Sequence, residues 1–146
     1  MNNHKVTSKY LTEIENKTNS IPVGVLSACK NILDYLCEYV FETDYYTYDI
    51  LLEASKLKNE NLLKEVIFYL TDSDIDVLVY KFEIYDEDSE SMICIDTARI
   101  FRFYISKNFC HPLYGYELTF EEFNNQVIPF FSTSESFKSQ FNVGGK

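Results

Sequence analysis

An apolar stripe with helical spacing runs from Val25 to Val40. Apolar residues recur there every three or four positions, and polar or charged residues fill most of the positions between them. This period is typical of an amphipathic helix with one face in a core, here about five turns long, and Pro22 suits its first turn. The residues predicted to form the buried face are Val25, Leu26, Cys29, Ile32, Leu33, Leu36, Cys37 and Val40.

Length and composition favour one compact domain. The chain has 146 residues, of which 46% are hydrophobic, with only 4 Gly and 3 Pro. That is enough apolar material for a sizeable core and too little Gly and Pro for a disordered or collagen-like chain. We expect a single globular domain at 21–131, preceded by a flexible or partner-ordered arm at 1–20 and followed by a frayed tail at 132–146.

Two short helical patterns follow the long one and lead into a β-hairpin. Apolar spacing predicts helices over 49–57 and 62–70, with Asn59 or Asn61 as the cap of the second. Two runs rich in β-branched and aromatic residues predict a hairpin within Asp76–Asp96. This order predicts an α+β, mainly helical fold: a winged helix-turn-helix with a β-hairpin wing plus flanking N- and C-terminal helices.

Two further helices are predicted after the hairpin, separated by a turn. Helical spacing resumes at Thr97, and Pro112 marks a turn next to His111. Thr119 and Glu122 have the spacing of a capping box, which predicts a last helix over 119–131. The position of His111 before a proline favours a histidine that fixes the turn by local packing or hydrogen bonding.

The chain is strongly acidic. It has 23 Asp and Glu against 13 Lys and Arg, a formal charge of −10. Such a field repels phosphate and attracts cationic partners. The segment from Asp72 to Asp96 contains nine acidic residues and one basic residue, Lys81. A wing in this segment would therefore be repelled by a nucleic-acid backbone. We therefore expect a larger protein partner with a basic patch and no direct nucleic-acid binding.

Two segments are the predicted partner contacts. The hairpin turn at 86–90 carries carboxylates that can steer a basic partner during association. The connector at 45–48 carries tyrosines, whose large ring and polar hydroxyl suit an interface, although an edge strand of the hairpin sheet is an alternative. The predicted contact residues are Asp86, Glu87, Asp88, Glu90, Tyr45, Tyr46 and Tyr48.

The sequence contains no common catalytic or metal-binding motif. Glycine-rich phosphate loops, the zinc-protease pattern and the serine-hydrolase elbow are absent. The four cysteines form no CxxC pair, and Cys29 and Cys37 fall on the apolar side of the long helix, where core packing is expected. We expect no enzyme activity, no cofactor and no bound metal.

Location in the cell is inferred from the absence of targeting signals. The N-terminal stretch is polar and has no leader-like apolar run, and no apolar segment reaches the roughly 20 residues that span a bilayer. We therefore expect a cytoplasmic protein that does not enter a membrane, with free thiols.

Four segments between residues 48 and 131 carry a family resemblance. They are NLLKEVIFYLT at 61–71, FEIYDED at 82–88, HPLYG at 111–115 and VIPFF at 127–131. In these segments the chain resembles small winged-helix accessory subunits found beside ATPases and nucleases in bacterial antiphage defence operons. The resemblance implies a bridging or regulatory subunit that has no active site of its own.

These features predict a non-catalytic acidic adaptor or regulatory subunit in a bacterial defence or conflict system. One alternative is an immunity protein or antitoxin, whose acidic surface would mask the cationic active site of a nuclease toxin. A second alternative is a winged-helix transcription regulator. An ATPase or nuclease effector encoded alongside would favour the adaptor, whereas an adjacent secreted toxin would favour the immunity protein.

Overall fold

The computed structural model describes residues 3–17 and 20–141. These residues form an α+β fold that is mainly helical, as predicted, and its density of contacts divides it into two compact units. The first unit ends at Val79 and resumes at Phe131, and the second unit is Tyr80–Phe130. The helices are α1 (Asn3–Lys17), α2 (Val23–Tyr39), α3 (Tyr48–Ser55), α4 (Glu60–Thr71), α5 (Thr97–Ser106), α6 (Phe120–Gln126) and α7 (Glu135–Ser139), and the strands are β1 (Leu78–Asp86), β2 (Ser91–Ile95) and β3 (Val127–Thr133).

Helices α1 and α2 pack together in the first unit. The predicted stripe of α2 is buried as expected, except that Leu26 is only partly covered. On α1, Tyr10 and Ile14 are 1% and 0% exposed, and Thr7 donates a hydrogen bond to Asp34 at 2.8 Å. Residues 3–17, expected to be a flexible or partner-ordered arm, are a helix with buried side chains in this structure, because a few well-spaced large side chains suffice to dock a mostly polar helix. Positions 1, 2, 18 and 19 lie outside the described residues.

The two short helices α3 and α4 are confirmed, and each begins at a capping side chain. The Thr47 hydroxyl accepts the Ile50 N–H at 3.2 Å, and the Asn59 side chain accepts the Asn61 N–H at 2.8 Å. Both helices pack against α2 in the first unit. Residues 21–131 were predicted to form one domain. They are divided between the two units, and the boundaries between the units fall within β1 and β3.

The predicted hairpin is confirmed as β1 and β2. The two strands are antiparallel, with Phe82 opposite Ile95 and Tyr85 opposite Met92. β1 is the central strand of a three-stranded sheet in the order β2-β1-β3. β3 is an edge strand of this sheet and can therefore contain Pro129, because an edge strand tolerates a proline.

The predicted helix over 119–131 is wrong beyond Gln126. Its start is confirmed, since Thr119 and Glu122 form a capping box with hydrogen bonds of 2.8 and 3.1 Å. Further along, Pro129 lacks an N–H and disfavours a helical conformation at the residue before it. Residues 127–131 are otherwise β-branched or aromatic, so the segment forms β3 instead.

The C-terminal segment folds into the first unit. The Ser134 hydroxyl accepts the Phe137 N–H at 3.0 Å, which starts α7, and it also donates to the Asp76 carbonyl at 2.6 Å. Phe137 is 0% exposed and Phe141 6%. The prediction of a frayed tail is therefore wrong for residues 132–141, and the rest of that tail, 142–146, lies outside the described residues.

A separate hydrophobic core lies within the second unit. Phe123 of α6 is 0% exposed, and its ring centroid lies 5.2, 5.7 and 4.9 Å from those of Phe103, Tyr104 and Phe109. In this core the hairpin packs against α5, α6 and the loop between them. The buried members are Phe82, Ile84, Ile95, Ile100, Phe109, Leu118, Phe123 and Val127.

Candidate functional site

The turn of the hairpin places four carboxylates close together in sequence at one end of the second unit. We call residues 86–90 the hairpin tip. Asp86 ends β1, and its carboxylate accepts the Asp88 N–H at 3.3 Å. Glu90 has a φ of 55°, in the left-handed region, just before the chain enters β2. Residues 87–90 are exposed, so their charges face solvent.

A second loop, 109–118, closes on itself through backbone hydrogen bonds. The Leu118 N–H donates to the Phe109 carbonyl at 2.9 Å, and the His111 N–H donates to the Tyr116 carbonyl at 2.7 Å. Gly115 donates back to His111 at 2.8 Å and has a φ of 82°, which a side chain would disfavour. The loop is therefore a defined structure and can hold side chains in fixed positions.

His111 is held inside this loop. It is 4% exposed, and its Nδ1 accepts the N–H groups of Leu113 and Tyr114 at 3.2 Å each. Its ring contacts those of Tyr114 and Tyr116, with centroids 5.0 and 4.9 Å away. Since Nδ1 is an acceptor, Nε2 carries the proton of the neutral ring. This confirms the expectation of a turn-fixing histidine.

Tyr114 connects the loop to the hairpin tip. Its hydroxyl lies within hydrogen-bonding distance of Asp86 and of Asp88, where the separation is 3.0 Å. The hydrogen bond from Tyr114 is the main reason that the pKa of Asp86 is lowered, and the same bond raises the pKa of the Tyr114 phenol. Phenol and carboxylate therefore keep the proton states that this hydrogen bond needs, and two acids of the tip are held in place.

None of the four carboxylates of the hairpin tip forms an ion pair with Lys or Arg in residues 3–17 and 20–141, the part of the chain that the structure describes. Within those residues the tip carboxylates are compensated by hydrogen bonds, from the Tyr114 hydroxyl and the Asp88 N–H, and not by a cation. Lysines of the first unit do form ion pairs, among them Lys9, Lys17, Lys30 and Lys138.

The tip, the loop and α6 surround a concave site of about 700 Å³, which we call the tyrosine cleft. Tyr85, Tyr114 and Tyr116 contribute ring surface and are each about half exposed. Carboxylates and carboxamides line the same cleft, so aromatic faces lie beside negative charge. The full lining is Ile84, Tyr85, Glu87, Asp88, His111, Tyr114, Tyr116, Asn125, Gln126 and Ile128.

Removal of the Tyr114 hydroxyl should change the pKa of Asp86. We expect Tyr114→Phe to raise the pKa of Asp86 toward its ordinary value, because the lost hydroxyl is the largest cause of its lowering. A lowered pKa stabilises the fold above the unfolded-state pKa, and this contribution is lost as the pH falls through the folded-state pKa. The substitution should therefore weaken the acid dependence of stability. An NMR titration of the aspartate carboxyl carbons measures the shift.

Tyr116→Phe is the matched control for this titration. Tyr116 lies in the same loop and also contacts the His111 ring, but its hydroxyl has no hydrogen-bond partner among the described residues. The pKa of Asp86 should therefore stay where it is. An equal rise in both variants, or none in Tyr114→Phe, would contradict the assigned contact.

The connector tyrosines differ in exposure. Tyr46 is 0% exposed, and its backbone pairs with Phe131 of β3 through hydrogen bonds of 2.8 and 2.7 Å. Its side chain is therefore not available to a partner, and its backbone pairing fits the alternative of an edge-strand position. Tyr45 and Tyr48 are each 38% exposed and belong to the first unit. The structure thus brings together only the predicted acidic residues of the tip.

Sequence reasoning gives no site role to the three tyrosines of the cleft. Tyr85 lies in the predicted hairpin, Tyr114 lies in the turn segment at 111–115, and Tyr116 follows that segment. A signal was present in the Pro112 and Gly115 pair, which marks an ordered turn with tyrosines beside it. That signal does not indicate which surface the turn contacts.

Two of the cysteines are core residues. Cys29 and Cys37 are buried as expected, and burial raises the pKa of both thiols, that of Cys29 to about 12. Within the described ranges, no group of three or more His, Cys, Asp or Glu side chains is arranged to hold a metal ion. In the same ranges, every helix is too short or too polar to cross a bilayer.

Comparison with known proteins gives no family assignment, since no family model, curated protein or solved structure matches this chain. The resemblance to accessory subunits of defence systems therefore stays a prediction. Function has to be inferred from the geometry and charge of the hairpin tip and the tyrosine cleft.

Proposed function

We propose that this chain is a non-catalytic acidic adaptor or regulatory subunit that binds a larger, basic protein through the hairpin tip. The observation that carries the proposal is the set of four tip carboxylates without ion-pair partners in the described chain, two of them held by Tyr114. Oriented charges attract and align a cationic surface. The neighbouring tyrosines offer the rigid amphipathic area that protein interfaces favour.

The wider setting of the proposal follows from the sequence. The order of α3, α4 and the β1–β2 hairpin supports a winged helix-turn-helix, with the hairpin as its wing. Phosphate would be repelled by such an acidic wing, which favours a protein over DNA as the partner. A cytoplasmic adaptor in a bacterial defence or conflict system is the setting that the family resemblance implies.

An immunity protein or antitoxin is the second candidate. The same carboxylates would suit a cationic nuclease active site, and a cleft of about 700 Å³ can receive a protruding side chain. The two candidates share a basic partner and differ in what that partner does. A transcription regulator receives less support, because the acidic wing opposes contact with a phosphate backbone.

The test of the proposal is the association rate with the native partner. The tagged chain is purified from its host, the retained protein is identified and produced separately, and binding is followed by stopped flow at several salt concentrations. Replacement of the tip carboxylates by isosteric amides should slow association several-fold at low salt. The effect should shrink as the Debye length falls to about 8 Å near physiological salt. The variant carries Asp86→Asn, Glu87→Gln, Asp88→Asn and Glu90→Gln.

A second variant with the same change in net charge is the control. It removes four exposed carboxylates of the first unit by replacing Glu38, Glu42, Glu53 and Glu65 with Gln. If the tip is the contact, this control should associate at nearly the rate of the original chain. Equal slowing in both variants would mean that net charge alone acts, and an unchanged rate in the tip variant would place the interface elsewhere.

A further inference from the structure

Building on the proposed function, we propose that the tyrosine cleft binds one arginine side chain presented by the partner polypeptide. The cleft combines three features that this ligand requires: carboxylates for its charge, aromatic faces for its planar group, and a hydrogen-bond donor for the backbone that carries it. Each feature is contributed by residues of the second unit.

The charge requirement is met by Glu87 and Asp88. Both line the cleft, and neither forms an ion pair within the described part of the chain. A guanidinium group presents five N–H donors in a rigid plane and can bond to two carboxylates at once. An ammonium group is a compact point charge and gains less from two acceptors on one side.

The aromatic requirement is met by Tyr114 and Tyr116. Both rings contact that of His111, and both side chains are about half exposed, so ring surface is open to a ligand. Guanidinium groups stack on such faces through cation–π attraction. Because the Tyr114 hydroxyl donates to Asp86 and Asp88, its ring is polarised toward greater negative charge, which strengthens this attraction.

The hydrogen-bond donor is the Nε2–H group of His111. His111 is 4% exposed, and its Nδ1 is used by two backbone N–H groups, but Nε2 has no acceptor among residues 3–17 and 20–141. Every fully enclosed side-chain nitrogen and oxygen of these residues does have a partner, so Nε2 is reachable from outside the protein. The cleft is the concave surface that His111 lines. A nearly buried N–H in that position is suited to an incoming carbonyl.

The combination favours a peptide arginine over other ligands. A metal ion lacks a sufficient ligand set in the described residues, and a phosphate-bearing ligand would face the tip carboxylates. A peptide arginine supplies both a planar cation and a backbone carbonyl. A partner that projects arginine from its surface is therefore the kind of protein that this site fits.

The experiment is an NMR titration of the full, isotopically labelled chain with N-acetyl-arginine N-methylamide. The corresponding lysine and citrulline amides are matched probes, since lysine changes the shape of the cation and citrulline removes the charge. We expect the arginine probe to shift the amides of 85–88 and 114–116 and the His111 Nε2–H. It should bind at least several-fold more tightly than the lysine probe, and the citrulline probe should produce no shifts there.

Two single substitutions at the tip make the titration specific. Glu87→Gln should weaken arginine binding several-fold because Glu87 lines the cleft, whereas Glu90→Gln removes the same charge outside the lining and should have little effect. Equal affinities for arginine and lysine, shifts confined to other surfaces, or equal losses in the two variants would overturn the arginine site. The association-rate test is independent of this result: slower association of the tip variant without arginine binding would refute the cleft ligand and leave the proposed function standing.

Discussion

Phe123→Ala is expected to lower the free energy of unfolding of the second unit by about 3–5 kcal/mol. Phe123 is 0% exposed and contacts three other aromatic rings, so its truncation removes apolar burial and leaves a cavity in the core of that unit. One of those rings belongs to Phe109, which begins the loop that holds His111. The loss of stability should therefore also disorder the tyrosine cleft. Urea unfolding followed by circular dichroism measures the change.

Phe120→Ala is the control on the same helix. Phe120 lies three residues earlier in α6 and is 57% exposed, so its truncation loses much less burial. We expect a change of less than about 1 kcal/mol. Similar losses in the two variants would contradict the assigned core of the second unit.

Phe137→Ala should have an effect of similar size on the first unit, about 3–5 kcal/mol. The Phe137 ring is 0% exposed and lies 5.5 Å from Tyr10 and 5.3 Å from Phe141 between centroids. A frayed tail would instead predict no measurable loss. The same unfolding experiment distinguishes the two, and Ser136→Ala, at an exposed position of α7, is the control.

A double-mutant cycle tests whether α1 and α7 share this core. Tyr10→Ala and Phe137→Ala should each destabilise the first unit, and their effects should fail to add by roughly 0.5–1.5 kcal/mol, the usual coupling of an aromatic pair. Strict additivity would contradict direct contact between the two rings. The cycle thus tests whether α1 and α7 pack together, although the sequence predicted an arm at 1–20 and a frayed tail at 132–146.

Several elements could be predicted from the sequence because their causes are local. The apolar period of α2, the Asn59 cap of α4 and the capping box of Thr119 and Glu122 depend on residues within a few positions of one another. The hairpin is local as well, since its strands are joined by a short acidic turn. The acidic residues at 86–90 are visible in the sequence, and the structure places them in the turn of the hairpin. These parts agree between sequence and structure.

Other elements depend on contacts between distant residues. Helix α1 has few apolar side chains, and Tyr10 and Ile14 are buried because α1 packs against distant segments, which include α2 and, at Tyr10, Phe137 of α7. The segment 127–133 has apolar residues that fit a helix or a strand, and its pairing in the sheet, together with Pro129, decides for the strand. Periodicity cannot distinguish such cases, because the free energy that decides them comes from a partner segment elsewhere in the chain.

The candidate site shows the same division. The acidic residues of the tip were recognisable from the sequence, because the residue type at each position determines its charge. The tyrosine cleft was not, because the contact of Tyr114 with Asp86 joins residues separated by 28 positions. Only the packing of the second unit brings the 109–118 loop to the hairpin tip, and it does so by burying Phe109 and Leu118 in a shared core. The sequence by itself thus determined which charged and aromatic side chains are present. The tyrosine cleft that brings them together forms only when distant apolar surfaces of the second unit are removed from water.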